Sequence, residues 1–227
     1  LLETWCSCEN DTKDIKTKFS EYTIHTMNAM KPNGRGRPSG GILVLIKKTW
    51  DSYFHCIESN FKHGLIFNVD KEIHGEAAIY IATYLPPFGA SAYGATHDNG
   101  VDLLDDELIR LKSIYPDHSL IITGDFNART QDAADFLIDD RNEYVPLPAN
   151  YPADTFNITR KSRDTHADIN QHGKALLHLC CSHNVHIVNG RVNGDKEGHL
   201  TCFTHNGASL VDYTLVSSSI FHSIVNL

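Results

Sequence analysis

No stretch of this chain approaches the roughly 18 to 20 consecutive apolar residues of a membrane span. Its hydrophobic residues come instead in short runs bounded by Gly, Pro, Asn and Asp, so a soluble globular protein with no membrane partner is expected. Cysteine is scarce, at six in 227 residues, and Cys180 and Cys181 are adjacent in an apolar helical pattern. That is too few for a disulfide scaffold and implies reduced thiols in an intracellular protein. Basic charge is also short: 20 Lys and Arg stand against 28 Asp and Glu, for a net charge of −8. Coating nucleic acid nonspecifically rests on neutralising phosphates, so that function is excluded. A nuclease is not, because a metal-dependent hydrolase needs clustered carboxylates and the cation supplies the positive charge that faces the phosphate. Internal repeats, low-complexity tracts and composition breaks are missing, so residues 1 to 227 read as a single domain. The chain opens on Leu1 without a basic-then-apolar leader and stops within "SIFHSIVNL", a strand-like run. A fragment truncated at both ends of a longer polypeptide is expected.

What is present alternates between period-2 apolar runs and helical stretches, which predicts an α/β or α+β domain in which strands outnumber helices. Residues 41–48, 64–70, 77–85, 119–125, 185–190, 200–205 and 210–217 read as strands. Leu103, Leu104, Leu108 and Leu111 recur at helical spacing ahead of Pro116, and Leu176, Leu177 and Cys180 share a face of a second helix. Packed sheets with helices outside follow. Residues 31–41, 86–100 and 146–164 form three loops long enough to suggest function.

The chemistry is signalled by acids in apolar surroundings. Glu3 sits among Leu1, Leu2 and Trp5; Asp125 ends the run "SLIITGD"; Asp212 interrupts Leu210, Val211, Tyr213, Leu215 and Val216. A carboxylate withdrawn from water is paired, hydrogen-bonded or metal-bound. One shared explanation is a polar pocket at the strand ends where a hard cation such as Mg²⁺ takes oxygen ligands. Strand alternation would put Asp125 and Asn127 on one side, one to handle a water and the other to donate to a phosphate oxygen. Plainer readings exist beside this one. "GDFN" alone could be a turn whose Asp and Asn bond their own backbone, Glu3 could simply be exposed, and Tyr84 before Pro86 and Pro87 could be a core aromatic.

In this order, "LLETW", "SGGILVLIKK", "ATYLPP", "TGDFNAR" and "SLVDYTLVS" resemble the endonuclease/exonuclease/phosphatase family of DNase I-like nucleases and abasic-site endonucleases. The C-terminal half is similar to the endonuclease domain of non-LTR retrotransposons, through N-x-x-G-x-x-L-x-x-x-C, I-x-N-G-R, G-D, G-x-x-T and G-x-S-x-x-D-Y. The resemblance implies a four-layered sandwich of two packed mixed β-sheets flanked by helices. It makes Glu3 the metal ligand, Tyr84 a contact to the scissile phosphate and Asp125 the residue that activates or positions water. Asn127 would bind a phosphate oxygen, and Asp212 would orient a catalytic His. Two departures are visible. The family's Asn-bearing first strand and its S-D-H last strand lie outside this chain, and none of the 14 histidines stands in that context; His205 and His222 read as surface residues.

The expected activity is hydrolysis of a DNA phosphodiester, a nicking endonuclease using Mg²⁺, or Mn²⁺ in its place, weak or inactive in this form for want of the His. Phosphate contacts are assigned to Arg35, Arg37, Arg160, Lys161 and Arg163, with solvated surface charge as the plainer alternative. The partners implied are DNA and a reverse transcriptase domain in the parent chain, with a nuclear location if chromosomal DNA is the target. The rival readings are a phosphatase or phosphodiesterase acting on inositol phosphates or lipid headgroups, and a catalytically dead remnant that binds nucleic acid or protein.

Overall fold

A computed structural model describes residues 1–29, 38–93, 99–137, 156–165, 168–205 and 207–227. Its elements run α1 (Lys13–Lys18), β1 (Tyr22–Met27), β2 (Ile42–Lys47), β3 (Phe54–Cys56), β4 (Gly64–Val69), β5 (Ala78–Tyr84), α2 (Gly100–Ile114), β6 (Ser119–Asp125), α3 (Gln171–His183), β7 (Val185–Ile187), β8 (Cys202–Thr204), β9 (Gly207–Ser209), β10 (Asp212–Ser217) and α4 (Ser218–Phe221). A six-stranded mixed sheet ordered β3-β4-β5-β6-β10-β7 forms the centre, with two-stranded sheets β1-β2 and β8-β9 beside it.

The period-2 runs fold as strands because both sheet faces can be buried. On one face Ile79, Ile81, Leu120, Ile122 and Leu215 pack against Leu104, Leu108 and Leu111 of α2 and Leu176, Leu179 and Cys180 of α3. Tyr80, Ala82 and Tyr84, which alternate with them, meet Ile42 and Val44 of β2, and Phe67 and Val69 meet Ile46. The central sheet therefore lies between a helical layer and the β1-β2 sheet. Leu108, fully buried at 0% exposure, contributes about 1.5–3 kcal/mol through burial.

Both long helices begin at an Asn. The side chain of Asn99 accepts the Val101 N–H to start α2, and that of Asn170 accepts the Gly173 N–H to start α3. α3 ends at Asn184 in the left-handed conformation, φ 53°. None of the six cysteines is in a disulfide. No helix among the described residues is long and apolar enough to cross a membrane.

Candidate active site

Three neighbouring strands place three of the expected site residues side by side. β5 runs parallel to β6 with Tyr84 opposite Asp125, while β10 runs antiparallel to β6 with Asp212 opposite Asp125. Direct partners in a ladder project from the same face. The face in question carries Ala82 and Tyr84 toward β2, so all three side chains look into the space between the two sheets. Thr123 and Thr214 lie one step further in, their hydroxyls 3.1 Å apart. Beside them an open cleft of about 560 Å³ runs from Asp212 past Gly124 and Thr123 to Ile42 and Leu2, lined by Asp212 but not by Tyr84 or Asp125.

Gly124 interrupts the apolar run for a steric reason. A Cβ there would collide with the carbonyl oxygen of Thr83 on the facing strand, so only glycine lets β5 and β6 approach closely where Tyr84 and Asp125 are paired.

Glu3 comes from the other sheet. Residues 1 to 5 run beside β2, where Leu2 bridges Ile42 and the N–H groups of Thr4 and Trp5 donate to the carbonyls of Gly41 and Gly40 at 3.2 and 3.0 Å. Glu3 is therefore not part of an apolar strand; it is solvent-exposed, and its φ of 48° is left-handed. That conformation is uncommon for a residue with a side chain. The hydroxyl of Tyr84 donates to Glu3 Oε1 at 2.8 Å, which ties the exposed acid to the buried end of β5.

The electrostatics are uneven. Burial pushes the Asp125 carboxyl up to about 7, and the charges of Asp212 and Glu3 add to the rise, while the Asn127 backbone N–H opposes it. Burial and the hydrogen bond to Glu3 push the Tyr84 phenol far above its ordinary value, so Tyr84 stays a donor. No Lys, Arg or His among the described residues forms an ion pair with Glu3, Asp125 or Asp212.

Expected strand alternation between Asp125 and Asn127 is corrected by the structure. β6 ends at Asp125, and Asn127 is left-handed at φ 47°. Its N–H donates to Asp125 Oδ1 at 2.8 Å, an Asx turn of the plainer kind. The Asn127 side chain is also anchored, its Nδ2 donating to the Leu85 carbonyl at 2.8 Å. An amide nitrogen carries two hydrogens, so one remains for a ligand.

Among the described residues no three His, Cys, Asp or Glu side chains gather closely enough to cage a metal by themselves. A hard cation that keeps much of its water and takes one or two carboxylates plus phosphate oxygens needs no such cage. The donors present suit that mode: Glu3 is exposed, has one oxygen held by Tyr84, and lies near enough to Asp125 and Asp212 to act on the same carboxyl.

Of the five basic residues, Arg160 is corrected outright. It is 5% exposed, with Nη2 donating to Thr130 Oγ1 at 2.6 Å and the Thr130 carbonyl at 3.2 Å and Nε to the Ala133 carbonyl at 3.2 Å, while Nη1 is buried with no partner among the described residues. It buttresses the chain beyond Asn127 and cannot reach a ligand. Lys161 and Arg163 are exposed, with Lys161 Nζ 2.8 Å from Glu197. Arg35 and Arg37 lie outside the described residues. His205 and His222 are exposed, as expected.

Sequence reading missed several groups around the site. Tyr93 is buried close enough to feel the Asp125 charge, and the Thr201 hydroxyl receives the N–H groups of Val211 and Asp212, each at 3.3 Å. Asn170 and His172 hold the chain that follows Asp125. Asn170 could have been found from its position, an Asn three residues before Gly173 at the head of an apolar helix. Nothing local marks Tyr93.

No curated protein matches the sequence. Among solved structures, the chain is similar to the AP endonuclease LMAP from Leishmania major, with a TM-score of 0.59 and 12% identity over 98% of this chain and 70% of that one. It is also similar to the 3′ phosphatase NExo from Neisseria bound to a product DNA hairpin, at 0.50 and 13% over 98% and 76%. The endonuclease domain of TRAS1, a telomere-specific non-LTR retrotransposon, matches at 0.46 and 15% over 88% and 69%. At these identities the first two likenesses establish the fold alone, a DNase I-like α+β fold. The family model for the Endonuclease/Exonuclease/phosphatase family matches residues 1–223, and the chain belongs to that family.

Proposed function

We propose that the chain is a divalent-cation-dependent phosphodiester hydrolase that nicks DNA, the endonuclease domain of a non-LTR retrotransposon. One observation carries the reading: Tyr84, Asp125 and Asp212 stand in register on three paired strands, with Glu3 bound to Tyr84, and burial brings Asp125 to about 7.

Glu3 is the ligand for Mg²⁺, or Mn²⁺ in its place, which when bound supplies Lewis-acid stabilisation of charge on the phosphoryl oxygens. Tyr84 keeps its proton and orients Glu3 through their 2.8 Å hydrogen bond. Asp125 takes the proton of the attacking water; a base titrating near the working pH is the efficient choice. Asn127, fixed through Leu85, offers its second amide hydrogen to a phosphate oxygen. Asp212 makes no hydrogen bond to a His among the described residues, and its part here is to raise Asp125 by charge.

DNA is favoured as substrate by the sequence similarity of residues 170 to 213 to retrotransposon endonuclease domains, with Lys161 and Arg163 as exposed phosphate contacts. A reverse transcriptase in the parent polypeptide is the partner this reading implies. The test is conversion of supercoiled plasmid to the open-circular form in Mg²⁺, with an inositol phosphate and a lipid headgroup phosphate as competing substrates. Weak nicking by the wild type, for want of the His, that Asp125→Asn abolishes is expected. A wild type that leaves plasmid intact and releases phosphate from the small substrates would contradict it.

A further inference from the structure

The chain from Asp125 to Arg129 is held mainly from one side. The Asn170 Nδ2 donates to the Asn127 carbonyl at 3.0 Å, and its Oδ1 accepts the Arg129 N–H at 2.9 Å and the Gly173 N–H at 2.7 Å. His172 is fully buried, with Nδ1 3.0 Å from the Phe126 carbonyl. Because a carbonyl only accepts, Nδ1 carries the proton there. Gly173 completes the grip, since a Cβ on it would collide with the Arg129 carbonyl. Each of Phe126, Asn127 and Arg129 thus has a backbone group bonded to the first turn of α3.

An N-cap alone needs only the oxygen of Asn170. Asp would serve as well at that position, yet the residue also spends its amide nitrogen on Asn127. Asn127 is left-handed at φ 47°, a conformation uncommon for a residue with a side chain, and three bonds from its surroundings fix it there. Its N–H is held by Asp125, its side chain by Leu85 and its carbonyl by Asn170. Of these three, the bond from Asn170 is the one made by a side chain with no part in the chemistry.

We infer that Asn170 is a positioning residue, whose amide nitrogen locks Asn127 in the left-handed turn that aims it at the phosphate, while its amide oxygen separately caps α3. This rests on the reading that Asn127 binds a phosphate oxygen. The two halves of the amide are separable by substitution. Asn170→Asp keeps the oxygen that accepts from Gly173 and Arg129 but has no proton for the Asn127 carbonyl. Asn170→Ser keeps a neutral cap and also lacks that donor, so it removes added charge as an explanation.

The experiment compares ¹⁵N-labelled wild type, Asn170→Asp and Asn170→Ser of this same chain by amide hydrogen exchange, thermal unfolding and nicking kinetics in Mg²⁺. Both variants are expected to keep the wild-type Tm and the protection of Gly173. The Asn127 amide should exchange at least tenfold faster, and kcat should fall about 10- to 100-fold with KM unchanged, the signature of a misplaced group. Wild-type exchange at Asn127, or a wild-type kcat, in both variants would overturn the inference and leave Asn170 a helix cap. If the wild type itself does not nick plasmid, the nuclease reading fails by that result, and exchange at Asn127 alone decides whether Asn170 positions it.

Discussion

Two aspartates in this molecule, one fully buried and one half-buried, have opposite fates. Asp135 and Asp125 are both withdrawn from water, and in both burial pushes the carboxyl upward. At Asp135 the push is overcome: Arg191 grips both oxygens at 2.6 and 2.7 Å, and the Ile187 N–H adds a third bond at 2.7 Å. Its carboxyl is held well below the usual range. At Asp125 nothing cationic intervenes among the described residues, two further acids lie near, and the carboxyl rises to about 7. Folding satisfies the first aspartate completely and leaves the second in deficit. An acid kept in deficit by its fold is what a cation or a proton-transfer step requires, and perturbed groups of this sort gather at functional sites.

The comparison can be broken most forcefully by exchanging the roles of the two acids. Asp125→Asn is expected to lower the nicking rate by about 10²- to 10⁴-fold, the usual contribution of a general base, while leaving the fold intact by circular dichroism. Arg191→Met should do the reverse. It leaves Asp135 buried without its partner, costing about 3–5 kcal/mol of stability in urea unfolding, with no acid of the site touched. If Asp125→Asn unfolds the chain, or Arg191→Met is neutral, the assignment of structural and functional acids is wrong.

A smaller effect sharpens the contrast through pH. Asp125 has a folded value of about 7 against an ordinary 3.8. Between those values the folded state binds more protons than the unfolded state, so stability falls as pH rises, at up to about 1.4 kcal/mol per pH unit, and stays low above 7. Asp135 has the opposite sign: its depressed value gives stability above the ordinary carboxylate range that is lost on acidification. Thermal melts should therefore show Asp125→Asn more stable than wild type at pH 8 and equal to it at pH 4. Equal melting at both pH values would mean that Asp125 titrates normally. The nicking rate, which needs Asp125 ionised and is read in Mg²⁺, should rise with pH through a midpoint below the metal-free value of about 7.

The smallest expected effect concerns the basic residues. Arg163→Ala should reduce the salt dependence of DNA binding by about one unit of log–log slope, while trimming Arg160 should change stability and not that slope. Equal slopes for Arg163→Ala and wild type would remove Arg163 from the interface.

Much of this was legible because apolar alternation was strong where it mattered. β6 falls on residues 119 to 125 as read, and Leu104, Leu108 and Leu111 face the core of α2. β1 was not read, since Thr23, His25 and Thr26 dilute its pattern and none of its residues is fully buried. The pairing of Asp125 with Asp212 was legible because an acid inside an apolar run demands an explanation, whereas Glu3 reaches them from an exposed segment beside β2. The turn at Asn127 was legible only as the plainer reading of "GDFN", and its support was not, because the bond to its carbonyl comes from Asn170, 43 residues away. Arg160 misled for the related reason that a basic loop residue gives no local sign of turning inward.

The most direct test of the central claim is the titration of Asp125 itself, followed by its carboxyl ¹³C shift, first without a divalent cation and then with Mg²⁺. A midpoint near 7 that drops when Mg²⁺ is added is expected. A midpoint at the ordinary carboxylate value of 3.8, unmoved by Mg²⁺, would contradict it.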